Sequence, residues 1–490
     1  MTAATPAASG PGAPGEPPSG GEPRKGGFFS GRRRLWAIVA GAAAFLLLGS
    51  GAVFAGVATA STPTAAEPEP TETQEPPREL PEVIDPAARL RTCSVAKYAR
   101  DGRLRRLYAH VINAETGEVL FDRRGDSPAR TASVLKIFTA AAAIEVLGAD
   151  YRITTTVRTG SAPGSIVLIG RGDATLSALP AGQESVYKGA PKIDDLAAQT
   201  LASYSGPPIS SIVLDATYWS PADKWDSTWE TSERTQGYHS EVTALQVDGD
   251  RQNPRQQDSP RGTDPIAKAG QAFLASLRAQ DTEGKVADEV SFSSGAAVGG
   301  TKLADVKSRP VGELVKYMLR VSDNTLAEML ARITSKESAL DGSASSLQAA
   351  IPSALSRFDV PGGDLVIRDG SGLSHKNQVP ASAMVALLKA MHDGDPVLDV
   401  VEKALPVAGE SGTLANRFTG DAEGARGHVV AKTGWIKSAY TLAGLIDARD
   451  GTPIAFSLYA IRDGISSDAR QALDSLTAAI YRCGDNLSNN

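Results

Sequence analysis

From Leu35 to Ala60 the chain carries no charged residue. That run limits what the chain can be, because at about 1.5 Å per residue a helix of this length crosses a hydrocarbon layer of about 30 Å. Arg24, Lys25 and Arg32 to Arg34 precede it, whereas Glu67, Glu69, Glu72 and Glu75 follow it. Basic residues on the near side place the N-terminus in the cytoplasm and the C-terminal bulk outside, with a single pass through the cell membrane. Residues 1–31 are rich in Ala, Pro, Gly and Ser and bury too little apolar surface to order themselves, so they read as a disordered cytoplasmic tail. Residues 32–60 are the expected membrane anchor. Ala58-Thr59-Ala60 also resembles a signal-peptide cleavage site, which leaves secretion after cutting near Ala60 as the alternative. The apolar run exceeds the roughly 7–15 residues of a signal-peptide core and favours an uncleaved anchor. Residues 61–82, with Pro63, Pro68, Pro70, Pro76, Pro77 and Pro81 among acidic residues, read as a stiff linker.

The remainder is long enough for more than one domain. Lys and Arg total 50 against 56 Asp and Glu, a net charge of −6 that gives no case for a nucleic-acid partner. Five scattered histidines without a His-Glu-x-x-His spacing and two cysteines leave no plausible metal site, and no cofactor is expected. Cys93 and Cys483 lie near the two ends of the globular part. Outside the cell their simplest state is one disulfide, which requires the ends to meet in space; two buried thiols are the alternative.

A chemical signal appears at Ser133-Val134-Leu135-Lys136, which opens the apolar run Ile137 to Leu147. Three residues are almost one helical turn, so a lysine amine on the same face is close enough to take the serine proton. Ser94/Lys97 and Ser185/Lys188 share the spacing but lack the following helix. Ahead of Ser133, Leu107 to Asn113 and Glu118 to Phe121 read as a hairpin. After Gly148, a helix C-cap, β-rich pieces at Tyr151 to Arg158, Ser165 to Ile169 and Ser211 to Leu214 suggest an insertion. Its polar stretch near Asp250 to Asp264 reads as a mobile loop, and Trp219, Trp225 and Trp229 as internal packing. A helical period returns at Val311, breaks at Ser322-Asp323-Asn324 and resumes to Ile333. His428 to Trp435 is an expected strand, Tyr440 to Asp447 and Ile454 to Ile461 a strand pair, and Ser467 to Tyr481 a closing helix.

One ordering of three motifs remains: Ser133-x-x-Lys136, Ser322-Asp323-Asn324 and Lys432-Thr433-Gly434. This set resembles the signature of penicillin-binding proteins and serine β-lactamases. Asp369-Gly370-Ser371-Gly372-Leu373-Ser374, Pro406 to Gly409 with Gly412-Thr413-Leu414, Gly170 to Leu176, and a large insertion between the first two motifs extend the likeness over about residues 88 to 483. They resemble the class C, low-molecular-mass D-Ala-D-Ala carboxypeptidase/endopeptidase family. The resemblance implies an α/β fold of the α+β type, with a penicillin-binding core of a mainly antiparallel sheet and helices. That core would come from two sequence pieces, 83–153 and 301–483, separated by a β-rich inserted domain at 154–300 and followed by a tail at 484–490.

It further implies a serine D,D-peptidase acting on peptidoglycan stem peptides through an acyl-enzyme and acylated by β-lactam antibiotics. Ser133 would be the nucleophile and Lys136 its base; Ser322 would relay a proton and Asn324 position the substrate. Lys432 and Thr433 would bind the terminal carboxylate, the backbone N–H groups of Ser133 and Trp435 would form an oxyanion hole, and Gly434 would let the strand approach the substrate. A lysine of ordinary pKa about 10.4 must fall by about three units, roughly 4 kcal/mol, which burial and the Lys432 cation would supply. Trp435 stands where the family has a small hydroxyl residue, and no role carries over to Glu410-Ser411. A β-lactamase and an inactive cell-wall scaffold are the competing readings; the intact motifs argue against the second.

Overall fold

The computed structural model describes residues 90–490, so the expected tail, anchor and linker lie outside the described residues. Among the described residues no helix is long and apolar enough to cross a membrane.

In chain order, strands β1 (Arg106–Asn113) and β2 (Val119–Arg123) form the hairpin expected before Ser133. A 3₁₀ turn, Ala132–Leu135, runs directly into helix α1 (Lys136–Leu147), which stops at Gly148 with a φ of 82°. The inserted elements follow: β3 (Thr154–Thr159), β4 (Ser165–Ile169), α2 (Ile193–Ser203), β5 (Ile209–Asp215), α3 (Pro265–Gln280), β6 (Val286–Ser294) and β7 (Lys302–Lys307). Then come α4 (Val311–Val321), α5 (Asn324–Glu337), α6 (Leu347–Leu355), α7 (Ala381–His392), β8 (Val429–Ile436), β9 (Ala439–Asp447), β10 (Pro453–Ile461) and α8 (Asp468–Cys483).

The first sheet is antiparallel throughout, in the order β2-β1-β10-β9-β8. Its centre pairs an N-terminal strand with a C-terminal one, so the two sequence pieces build one sheet. Alternation along β10 explains why helices cover both faces. Phe456 and Leu458 join Leu473, Leu476 and Ile480 of α8, whereas Ala455 and Tyr459 join Met384 and Leu388 of α7. Burying each of the large side chains contributes about 1.5–3 kcal/mol. Helix α1 is buried from Lys136 to Ile144, because its run of four alanines lets α4, α5 and α6 close around it. The two ends of the globular part meet as required: Cys93 and Cys483 form a disulfide with Cα atoms 5.5 Å apart, and Cys93–Ser94 pairs in parallel with Leu487–Ser488.

The inserted sheet has the order β6-β5-β4-β3-β7. β3 is antiparallel to β4 and β7, but β4, β5 and β6 are mutually parallel. Parallel neighbours need crossover connections, and α2 and α3 supply them. The insertion is therefore α/β in construction and not simply β-rich. The helical period was present in the sequence, since Ile193, Leu196, Ala197, Thr200 and Leu201 form the buried face of α2. The sheet also runs past the expected boundary at residue 300, because β7 pairs along β3 up to Lys307.

The stretch expected to be a mobile loop is instead anchored. Asp248, Gly249 and Asp250 all have left-handed backbones (φ 53°, 56° and 59°), a costly run for two aspartates, and Arg251 and Arg261 beyond them are buried. Arg251 is wholly buried, with its Nη2 2.8 Å from Asp323 Oδ2. Arg251 and Arg261 turn inward and fix the stretch, while Gln252, Asn253, Arg255 and Asp258 between them face solvent.

Candidate active site

The break between α4 and α5 shows why the second motif has its sequence. Ser322 ends α4 in a left-handed conformation (φ 62°, ψ 39°), and Asp323 caps α5 by accepting the Leu326 N–H at 2.9 Å. The cap is thus Asp323, which leaves the Asn324 side chain available. Its Oδ1 lies 2.7 Å from Lys136 Nζ, and its Nδ2 donates to the Tyr238 carbonyl from the insertion at 3.2 Å.

Lys136 has no solvent exposure, and its amine touches three groups: Ser133 Oγ at 2.9 Å, Asn324 Oδ1 at 2.7 Å and the Ser371 carbonyl at 2.7 Å. A neutral amine has two N–H donors and one lone pair. Asn324 and Ser371 offer only acceptors and take both donors, so the lone pair faces the Ser133 hydroxyl. Burial lowers the lysine to about 8, against the opposing carboxylates of Asp369, Glu328 and Asp323. The lysine–lysine repulsion expected to help instead falls on Lys432, pushed well below its ordinary value by burial, Lys136 and Arg417.

Lys432 is equally buried and reaches Ser322 Oγ at 2.9 Å and the Thr433 carbonyl at 2.8 Å. Thr433 Oγ1 meets Thr413 Oγ1 at 2.8 Å, which brings the Gly412-Thr413-Leu414 stretch to the site. Gly434 also has a packing reason. A Cβ there would lie 2.1 Å from Thr441 Oγ1 and 2.9 Å from the Ser133 nitrogen, so the glycine keeps β8 against the Ser133 backbone. Trp435 is half exposed at the mouth, with its ring centroid 6.3 Å from that of Tyr440. All eight expected catalytic and substrate-binding positions therefore gather around one cleft of about 890 Å³, Lys136 lying beneath it and Lys432 beside Ser322.

Sequence reasoning missed several supports. Ala132, directly before Ser133, is left-handed (φ 45°), and a Cβ on Gly372 would meet its carbonyl at 1.9 Å. The Asp369–Ser374 turn therefore packs on the backbone at Ala132 and Ser133, and its Ser371 carbonyl holds the Lys136 amine. Asp369 accepts the Gly372 and Ser374 amides, the Asn377 amide and Trp229 Nε1, which ties the insertion to the turn. The glycines in that turn were the signal. The rim carries two ion pairs, Arg130 with Asp463 at 2.5 Å and Lys437 with Glu230, the latter linking the β8–β9 turn to the insertion.

The sequence model of the D-Ala-D-Ala carboxypeptidase 3 (S13) family matches residues 91–267 and 251–480. The chain belongs to that family. It is a serine-type D-Ala-D-Ala carboxypeptidase, a hydrolase that acts as a D,D-peptidase on peptidoglycan. Carboxypeptidase DacB of Mycolicibacterium smegmatis is 34% identical over 383 residues, covering 76% of this chain and 80% of the relative. The D-alanyl-D-alanine carboxypeptidase of an Actinomadura species is 30% identical over 446 residues, covering 75% of this chain and 79% of the relative. In fold, the carboxypeptidase resembles penicillin binding protein 4 from Haemophilus influenzae, with a TM-score of 0.65 at 21% identity over 76% of this chain and 95% of that one.

Proposed function

We propose that Ser133 is the nucleophile of this D,D-peptidase and Lys136 its general base. Neutral Lys136 takes the hydroxyl proton as Oγ attacks the carbonyl carbon of the penultimate D-Ala. The C–N bond to the terminal residue breaks, Ser322 passes a proton to the leaving amine, and water hydrolyses the resulting ester. The observation that carries this reading is the filling of both Lys136 donor positions by Asn324 and Ser371, which leaves the lone pair facing Ser133.

Asn324 positions the substrate amide, Lys432 and Thr433 hold the terminal carboxylate, and the N–H groups of Ser133 and Trp435 stabilise the oxyanion. Gly434 supports that hole by letting β8 lie close to Ser133. The indole of Trp435 narrows the mouth of the cleft. The same centre cuts cross-links as an endopeptidase where the leaving amine belongs to a second stem peptide, and β-lactams acylate it because they present a strained amide beside a carboxylate. The uncharged run at Leu35–Ala60 anchors the enzyme in the cell membrane, and the linker at 61–82 holds the catalytic part on the outer side.

Exposure of the full chain to penicillin followed by mass spectrometry tests this reading. A long-lived adduct mapping to Ser133 is the expected result. Fast penicillin turnover without a lasting adduct would assign a β-lactamase, and absence of both would remove Ser133 from the nucleophile's role.

A further inference from the structure

Helix α5 begins at Asn324 and carries Glu328 one turn later, so both side chains rise from one face of the helix. Asn324 touches Lys136 directly. Glu328, 1% exposed, instead accepts two consecutive backbone N–H groups with one oxygen: Gly370 at 2.9 Å and Ser371 at 2.7 Å. The carbonyl of that same Ser371 accepts from Lys136 at 2.7 Å. One residue of backbone therefore separates the carboxyl group from the base. Glu328 does not line the cleft, and the steps assigned to the reaction leave it unused.

The charges around the pair come from several elements. Lys136 faces Asp369 from the glycine-rich turn, Glu328 and Asp323 from the α5 region, Lys432 from β8, and the buried His239 of the insertion, which burial keeps neutral. Glu328 faces Asp369 and, on its own helix, Arg332; burial and Asp369 push its carboxyl up to about 7, and Arg332 opposes them.

We propose that Glu328 is a positioning residue for the Lys136 base: its carboxyl fixes the Ser371 carbonyl that orients the lysine. This rests on the reading of Lys136 as base. Glu328→Ala removes that hold, whereas Glu328→Gln keeps it, because the amide oxygen still accepts from Gly370 and Ser371.

The experiment is the acylation rate of the full chain with a chromogenic β-lactam. Glu328→Ala frees the Ser371 carbonyl, so acylation slows by about tenfold or more, and Glu328→Gln restores it to within about threefold of wild type. A folded Glu328→Ala with the wild-type rate overturns the proposal, as does a folded Glu328→Gln as slow as the alanine variant. Glu328→Asp puts the acceptor on a shorter arm, so acylation slows; Glu328→Asp with the full wild-type rate also overturns it and serves if the Ala variant does not fold. Lys136→Ala is the control. If that variant still acylates at the wild-type rate, the base assignment fails; if it is inert and Glu328→Ala acylates at the wild-type rate, only the role of Glu328 fails.

Discussion

The two lysines of the site, Lys136 on the helix side and Lys432 on the strand side, are both fully buried and both lowered by burial, yet they sit in opposite fields. Around Lys136 the charges are Asp369, Glu328 and Asp323, which hold its proton and leave it at about 8. Lys432 instead feels Lys136 and Arg417, which drive its proton away. The first environment keeps the amine near the working pH, as the proposed role of base requires. The second is incomplete until an anion arrives. Burial makes a lysine sensitive; the charges around it decide what it senses.

The largest effect should come from splitting the pair. Lys136→Ala should slow acylation by about 10²–10⁴-fold for every acyl donor, the usual scale for loss of a general base. Lys432→Ala should raise KM strongly for a peptide ending in a free carboxylate and affect an acyl donor lacking that carboxylate much less. Steady-state and single-turnover kinetics with matched donors measure the contrast. Equal losses on both donors in both variants would abolish it.

That contrast was only half legible in the sequence. The order and spacing of the three motifs located Ser133, Lys136, Ser322, Asn324, Lys432 and Thr433, because local geometry dictates helix faces and strand turns. The core strands were legible too, as two apolar runs on either side of the Asp450-Gly451 turn. What holds the lysines was not legible. The Ser371 carbonyl reaches Lys136 across 235 positions and is a backbone atom, so no side-chain pattern announces it. Arg251 meets Asp323 across 72 positions from a stretch whose polar, proline-containing composition suggested solvent. The α/β construction of the insertion was readable in the period of α2 but was masked by its many short strands.

Arg251 gives the next effect in size. It donates to Tyr187 and Asp323, and Asp323 stands between Ser322, which meets Lys432, and Asn324, which meets Lys136. Burial alone would raise the Asp323 carboxyl, but Arg251 and Arg261 outweigh it and bring it to about 2. A depressed carboxyl stabilises the fold above its unfolded value of about 3.9, and that stabilisation fades as pH falls toward 2. Arg251→Met strands the charge and should destabilise the protein by about 3–5 kcal/mol, read from urea melts at pH 7. Adding Asp323→Asn should recover part of that loss. Stability unchanged by Arg251→Met would show that the insertion does not support the motif between the lysines.

The smallest effect is a proton, and it tests the comparison directly. Lys432 is depressed in the empty site by burial, Lys136 and Arg417; a substrate carboxylate beside it is an opposite charge and raises it again. At any pH between the empty-site and bound-site values, binding must draw a proton from solution, up to about one per site. In Ser133→Ala, which binds without turnover, titration calorimetry with a peptide ending in D-Ala-D-Ala should give heats that depend on the buffer's ionisation enthalpy. Lys432→Gln should abolish that dependence, whereas a peptide with an amidated C-terminus should show little of it. Buffer-independent heats with the free carboxylate would mean that Lys432 is already charged in the empty site. The distinction between the lysines would then lie in their hydrogen-bond partners, since both would enter the reaction from burial of the same depth and only Lys136 would change its proton.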